Sequence, residues 1–284
     1  AMTTEVLFTH TQKNFSTDSK KFTGKEGGGC RFCKSPNTSF KNTSHAIPEF
    51  MGNKSVFCLD ECDQCNSYFS EKESELKKFL PPSWFTQILG KSNRYDTSYL
   101  TSPKNTTVTF EDDFEGKFID ITCNTQGDYK NLFLKGRNFS NVSVYKALLK
   151  ILISLIPSNY LNNFNDAIAW LMDEKSNFSK LKNKPLIITG IQQPDFRLPK
   201  IMEIALTRQT FNKSVVYYLK GRFNNFYLQV PFVTEGKVQN ERVKVTPART
   251  KIEEILFQKI DLSDYVSKHN YKFNLRLPDS YYNK

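Results

Sequence analysis

The chain has 284 residues and a formal net charge of +11, from 40 lysine and arginine residues against 29 aspartate and glutamate residues. The longest apolar run, residues 142–156, contains Lys146 and Lys150 and is too short to cross a bilayer, so a buried helix is expected there rather than a membrane span. No basic stretch followed by an apolar one comes after Met2, so we expect a soluble, cytoplasmic protein. The charge favours a polyanionic partner, nucleic acid first, although many basic proteins bind none.

Two polar stretches divide the chain. Residues 2–29 end in Lys-Glu-Gly-Gly-Gly and are typical of a loose arm. Residues 83–105 are rich in serine and threonine and are typical of a linker. We therefore predict an N-terminal module over residues 2–82, a linker, and a second domain over residues 106–284.

The N-terminal module is predicted to contain two strands and a helix. Residues 39–47 and 55–61 are interpreted as short strands. A helix is expected from Asp63 onward, and Pro81-Pro82 ends it because proline cannot continue a helix.

The second domain is predicted to mix strands and helices, with strands forming most of it. Strands are expected at 107–112, 117–123, 131–135, 186–191, 200–207, 214–221 and 225–232, and helices at 142–156, 159–173 and 251–259. The order of these elements indicates an α+β fold with a mainly antiparallel sheet.

Four cysteines form two Cys-x-x-Cys pairs, Cys30 with Cys33 and Cys62 with Cys65. In a protein without an export signal this spacing favours a metal over disulfides, and two such turns complete a tetrahedral zinc site. Four sulfurs fill the coordination shell, so the zinc is expected to be structural; buried thiols without a metal are the alternative. Cys58 falls outside the pattern and is expected in the core, as is Cys123.

One of the three histidines, His45, lies between the two cysteine pairs. The combined pattern Cys-x-x-Cys, His-x-x-Pro and Cys-x-x-Cys-Asn runs through His45, Pro48 and Asn66. It resembles the HNH endonucleases of the ββα-metal fold, in their zinc-knuckle subgroup. The resemblance covers about residues 28–80.

This resemblance implies roles for three residues. His45 matches the general base that activates water for attack on a phosphodiester, a task that suits an imidazole at neutral pH. Asn66 matches the asparagine that orients this histidine. Glu75 matches the position of a ligand of the catalytic divalent ion, and a carboxylate suits Mg²⁺ or Mn²⁺.

The sequence departs from the family before His45, where a metal ligand is usual and Ser44 stands instead. Three explanations are open: the metal holds more water, another carboxylate helps, or the nuclease is inactive. Glu49, Asp60 and Glu61 are near enough in sequence to supply that carboxylate.

The second domain carries a run of basic residues that is interpreted either as a phosphate-contacting loop or as a solvated surface. They are Lys237, Arg242, Lys244, Arg249 and Lys251. We expect a DNA endonuclease of bacterial restriction or antiphage defence. Its second domain would either select the target, such as a modified base, or bind a nucleotide second messenger that switches the nuclease on. A homodimer is compatible with the sequence. The alternative is a zinc-stabilised nucleic-acid-binding protein without catalysis.

Overall fold

The structure is a computed structural model. It describes residues 2–13, 19–35, 38–81, 138–192, 200–236 and 256–265, together with the backbone of 106–113, 116–123, 132–134 and 271–273. The predicted linker at 83–105 lies outside the described residues. So do the five basic residues Lys237, Arg242, Lys244, Arg249 and Lys251, and both expectations stay predictions.

The described residues contain strands and few helices. The strands are β1 (Thr3–Lys13), β2 (Lys21–Thr23), β3 (Ser44–His45), β4 (Val56–Cys58), β5 (Thr106–Asp113), β6 (Gly116–Cys123), β7 (Leu132–Leu134), β8 (Leu186–Ile191), β9 (Ile201–Phe211), β10 (Ser214–Phe223), β11 (Phe226–Glu235), β12 (Leu256–Asp261) and β13 (Tyr271–Phe273). The α-helices are α1 (Asp63–Phe79), α2 (Asn141–Leu155) and α3 (Asn165–Met172). No helix in this part of the chain is long and apolar enough to span a membrane.

Six strands form the main sheet, in the order β1-β9-β10-β11-β8-β12, and every neighbouring pair is antiparallel. The α+β class with an antiparallel sheet is therefore confirmed. β10 and β11 are joined by a turn at Asn224-Asn225, the position predicted for it, and Asn224 adopts the left-handed conformation such a turn requires. Tyr217, Leu219 and Val230 are buried on these strands.

Two sequence-based expectations are wrong. The loose arm is instead the edge strand β1, which pairs with β9 along its length. Its threonines and valine favour a strand, and its polarity reflects an edge position with most side chains exposed. The helix expected at 251–259 is wrong from residue 256 onward, where β12 pairs with β8. Leu256 and Ile260 fit helical spacing locally, but pairing with a neighbouring strand decides the structure.

A second, smaller unit is named here the zinc module and comprises β2, β3, β4 and α1. Its sheet has the order β2-β4-β3, with β2 parallel and β3 antiparallel to β4. The side chain of Cys62 caps α1 by accepting a hydrogen bond from the amide of Cys65, and the helix ends at Phe79, shortly before the prolines. The predicted order of strand, strand and helix is confirmed.

The zinc module packs on α2 through α1, and the two share one hydrophobic core. This cluster includes Phe69 and Leu76 of the zinc module, Leu148 of α2 and Leu206 of the main sheet. The division of the chain at residues 83–105 stays a prediction, with described residues on either side of it in contact.

Candidate functional site

The two cysteine pairs form one cluster. The sulfurs of Cys30, Cys33, Cys62 and Cys65 all lie within 4.8 Å of one another. The Sγ atoms of Cys33 and Cys62 are 3.8 Å apart. A tetrahedral zinc ion with Zn–S distances of about 2.3 Å separates its sulfurs by about 3.8 Å, so the cluster fits zinc. All four are free cysteines.

The electrostatics of the cluster also fit a cation. The hydrogen bond from the Cys65 thiol, together with backbone amides, lowers the pKa of Cys30 to about 4. Burial raises the pKa of Cys62 to about 11. The hydrogen bond with Cys30 raises the pKa of Cys65 as well. Four sulfurs this close resist becoming thiolates together, and a divalent ion between them removes that repulsion.

His45 ends β3 and lies directly opposite Phe57 of β4. The two rings have centroids 4.8 Å apart, and the His45 side chain is half-buried at the surface. The carbonyl oxygen of His45 accepts a hydrogen bond from Lys150 Nζ at 2.7 Å. The backbone of His45 is thus held both by pairing with β4 and by the hydrogen bond from Lys150 of α2.

The asparagine that organises the surroundings of His45 is Asn53, which the sequence analysis did not single out. Its Nδ2 donates to the carbonyls of Ile47 and Val56 at 2.7 and 2.8 Å, and its Oδ1 accepts from the amides of Ser55 and Val56. These bonds use both N–H groups, so the approach of Nδ2 to His45 Nδ1 at 3.4 Å adds little. Asn53 therefore holds the connection between the two strands on which the position of His45 depends.

Asn66, predicted to orient His45, lies in the first turn of α1, where its amide bonds the carbonyl of Cys62. Among the described residues its side chain makes no hydrogen bond to His45. Its orienting role stays a prediction, and the side chain is half-buried next to the last cysteine of the cluster.

Glu75, predicted to bind the catalytic ion, has two partners within the protein. Its Oε2 accepts from the backbone amide of Ser140 at 2.7 Å, and its Oε1 pairs with Lys78. Ser140 is the N-cap of α2, so this carboxylate ties α1 to the start of α2. Binding of a divalent ion by Glu75 stays a prediction, and it would have to compete with these bonds.

The three other carboxylates considered for the ion are each paired with a cationic side chain of the protein. Glu49 pairs with Lys54, and Asp60 forms a bidentate pair with Arg31 at 2.5 and 3.0 Å. Glu61 Oε2 lies 3.3 Å from Lys150. Ser44 is buried with its hydroxyl 3.5 Å from the carbonyl of Glu61. Among the described residues, the cysteine cluster is the one group of three or more His, Cys, Asp or Glu close enough to share a metal ion.

Lys150 is the centre of a buried polar cluster that sequence reasoning missed. Its ammonium contacts Glu61, Glu73 at 3.0 Å and the His45 carbonyl. Burial lowers the pKa of Lys150, but the two carboxylates outweigh it and raise the pKa overall. Burial raises the pKa of Glu61 to about 7, with Lys150 opposing. The only signal in the sequence was a lysine inside the longest apolar run.

Arg31 lies between Cys30 and Cys33 and joins the zinc module to the C-terminal end of α2. Its Nη1 donates to the carbonyls of Ile153, Ser154 and Ile156 at the C-terminal end of α2. The carbonyl of Ile153 also accepts from the amide of Ile156, whereas carbonyls at the end of a helix commonly need partners from outside it. The same guanidinium is held by Asp60. A cation at a helix C-terminus is also favoured by the helix dipole.

β1 of the main sheet contacts the hairpin of the zinc module, which is formed by β3, β4 and the loop between them. Gln12 is buried; its Nε2 donates to the carbonyl of Gly52, and its Oε1 accepts from the Lys54 amide and the Ser55 hydroxyl. His10 Nε2 lies 2.8 Å from the same hydroxyl. The loop that contains Asn53 is therefore held in place by hydrogen bonds with β1 of the main sheet.

A cavity of about 410 Å³ opens beside α3. Trp170 and Phe232 line it, with two lysines at its edge. Lys180 pairs with Asp173 and Lys182 with Asp166, so the wall is close to neutral. Such a wall does not favour a polyphosphate, and a nucleotide second messenger stays a prediction without support from this cavity.

Comparison with known proteins adds no family. No family model, curated protein or solved structure matches the chain. The resemblance to the HNH endonucleases therefore rests on the sequence pattern between Cys30 and Asn66 and stays a prediction.

Proposed function

We propose that this protein is a divalent-metal-dependent endonuclease that hydrolyses DNA phosphodiester bonds in bacterial restriction or antiphage defence. The observation that carries the proposal is the position of His45. Its ring lies at the surface of the three-stranded sheet, and its backbone is fixed by Lys150 and by the loop that Asn53 organises. The zinc cage has its four sulfurs without it, so zinc does not require His45 as a ligand.

In this proposal His45 accepts the proton of a water molecule that attacks the scissile phosphate. The residues behind it supply rigidity: β3 is two residues long, and a base in so short a strand depends on its neighbours for position. A bound Mg²⁺ or Mn²⁺ would supply electrostatic stabilisation of the phosphate and of the leaving oxygen. The described residues do not assemble a ligand set for that ion by themselves, since Glu49, Asp60, Glu61 and Glu75 have internal partners.

Because these carboxylates are already paired within the protein, a second candidate is favoured: a zinc-stabilised nucleic-acid-binding protein without catalysis. The net charge of +11 suits such a protein equally well. Absence of a metal-binding carboxylate group near His45 among the described residues is the observation that favours it.

The experiment is a cleavage assay with the zinc-loaded full-length protein, plasmid DNA and Mg²⁺ or Mn²⁺. The wild type should nick or cut the plasmid, and His45→Ala should lose cleavage by about 100-fold or more, as expected for a general base. Zinc content and DNA binding should change little. His269→Gln, which replaces a histidine outside residues 28–80, is the matched control and should retain cleavage.

The outcomes separate the two candidates. Cleavage at the wild-type rate by His45→Ala would refute the catalytic role of His45. DNA binding by the wild type with no cleavage in any divalent metal would establish the non-catalytic candidate. Parallel assays on plasmid with modified bases test whether the second domain selects such a target.

A further inference from the structure

Three rings form a row across the outer face of the zinc module. Phe22 of β2 lies directly opposite Phe57 of β4, and Phe57 lies directly opposite His45 of β3. The ring centroids of Phe22 and Phe57 are 5.7 Å apart and the rings are stacked. Those of Phe57 and His45 are 4.8 Å apart. We name Phe22, Phe57 and His45 the aromatic row.

The aromatic row faces solvent, whereas the neighbours of Phe57 and His45 in sequence are buried. Phe22 is 51% exposed, and Phe57 and His45 are half-buried. Val56 and Cys58 on either side of Phe57 point into the core. Because successive strand residues face opposite sides, the row is the outer face of a sheet whose inner face covers the core. Contiguous apolar side chains exposed at a surface are one mark of an interaction site.

Charge beside the row favours an anion. The Lys20 ammonium lies 6.0 Å from the centroid of Phe57. The chain as a whole carries a net charge of +11. Aromatic rings that take the flat face of a base, next to a lysine that takes a phosphate, are the combination by which proteins bind unpaired nucleic acid strands.

We propose that the aromatic row is a stacking platform for unpaired bases of a DNA strand. This proposal rests in part on the proposed function, since the third member of the row, His45, is the proposed general base. A base stacked on Phe22 or Phe57 would then fix the strand with a phosphate close to His45. Bases in a duplex keep their faces stacked on one another, so the platform favours single-stranded DNA or an opened stretch of duplex.

The experiment measures the affinity of the zinc-loaded full-length protein for a short fluorescent single strand and for the duplex of the same sequence. No divalent ion beyond the bound zinc is added, so cleavage does not interfere. The wild type should bind the single strand more tightly. Phe22→Ala should weaken single-strand binding by about fivefold to about 150-fold, the range for one stacked base. Duplex binding should change by less than about twofold.

Two further substitutions test stacking as such. Phe22→Tyr keeps a ring and should bind like the wild type, whereas Phe22→Leu keeps an apolar side chain without a ring and should resemble Phe22→Ala. Phe40 is the matched control, because it is 42% exposed and has no ring partner in the part of the chain that the structure describes. Phe40→Ala should leave both affinities unchanged.

Lys20→Gln tests the phosphate contact separately. It should reduce the slope of log affinity against log salt concentration for the single strand by about 0.7, the value for one phosphate contact. An unchanged slope would remove Lys20 from the platform and, with it, the charge argument for DNA.

Several outcomes would overturn the proposal. These are wild-type affinity in Phe22→Ala, wild-type affinity in Phe22→Leu, or an equal loss in Phe40→Ala. A change of oligomeric state in Phe22→Ala without a change in DNA affinity would make the row a protein interface. If the wild type never cleaves DNA but single-strand binding depends on Phe22, the platform stands and the proposed endonuclease activity fails.

Discussion

The zinc module and the main sheet are stabilised in different ways. The main sheet buries apolar side chains along long strands, among them Tyr217, Leu219 and Val230. The zinc module has strands of two and three residues, and its geometry depends on four cysteines and on buried polar groups such as Arg31 and Asn53. Burial of apolar area is distributed over many residues, whereas a metal cage or a buried amide concentrates its effect in one. Single substitutions should therefore matter more in the zinc module.

The largest effect is expected from Cys62→Ser. The substitution should abolish zinc binding and unfold the zinc module, because apparent zinc-binding free energies in small modules are about 10–16 kcal/mol and form most of their stability. Elemental analysis and hydrogen exchange would measure this. Protection should be lost in β2, β4 and α1 and retained in β9 and β10.

Cys58→Ala is the matched control for that experiment. Cys58 is buried like Cys62 but lies outside the cluster, and its thiol donates to Asp60 at 3.3 Å. It should keep one zinc per chain. Equal loss of protection in both regions after Cys62→Ser would show that the two are not distinct in their stabilisation.

The next effect concerns the ion pair between the zinc module and α2, the helix packed against it. Lys150→Met should lower the free energy of unfolding by about 3–5 kcal/mol, because it leaves the carboxylate of Glu61 buried without its cation. Urea unfolding measures it. Lys182→Met, which removes a fully exposed pair with Asp166, should leave the free energy of unfolding close to that of the wild type.

A double substitution sharpens this test. Lys150→Met combined with Glu61→Gln should cost less than the sum of the two single changes, since the uncompensated charge is then absent. Additive costs would mean that the pair does not act as a unit.

A third effect compares two asparagines. Asn53→Ala should lower the free energy of unfolding by about 1–3 kcal/mol, because it leaves buried backbone groups of Ile47 and Val56 unsatisfied. It should also lower DNA cleavage more than Asn66→Ala does, since Asn53 holds the loop beside His45. Urea unfolding and cleavage rates under the same conditions provide the comparison. A larger loss of cleavage in Asn66→Ala would restore Asn66 as the orienting residue.

The sequence alone identified the parts of the molecule whose chemistry is local. The cysteine spacing predicted the cluster, and apolar periodicity predicted α2 and most strands of the main sheet. The edge strand β1 was not predicted, because its exposed side chains are polar and its strand conformation depends on pairing with β9. Lys150 escaped because its partners lie far away along the chain.

The aromatic row shows the same limit. Phe22 and Phe57 are far apart in sequence, and only the parallel pairing of β2 with β4 brings them into line. The hairpin of β10 and β11 is also rich in aromatic residues, but Tyr217 and Phe223 on it are buried. Composition indicates that aromatic residues are abundant, but strand register decides which of them face solvent.

The smallest expected effect tests the contact between the main sheet and the zinc module. His10 of β1 lies 2.8 Å from the Ser55 hydroxyl. Burial, and then the charge of Lys21, lower the pKa of His10 below its ordinary value of 6.5. The unfolded chain therefore binds this proton more readily than the folded protein. The contribution to stability is fully present above pH 6.5 and is lost progressively as the pH falls below it.

Urea unfolding between about pH 7 and about pH 5.5 measures this dependence. The cysteines of the zinc cluster also take up protons on acidification, so the wild type and His10→Gln should both lose stability. His10→Gln should lose less than the wild type. Lys21→Gln removes the repulsion and brings the folded pKa of His10 closer to 6.5, so its loss should lie between the two. Identical slopes for the wild type and His10→Gln would show that the contact between β1 and the hairpin does not depend on the charge of this histidine.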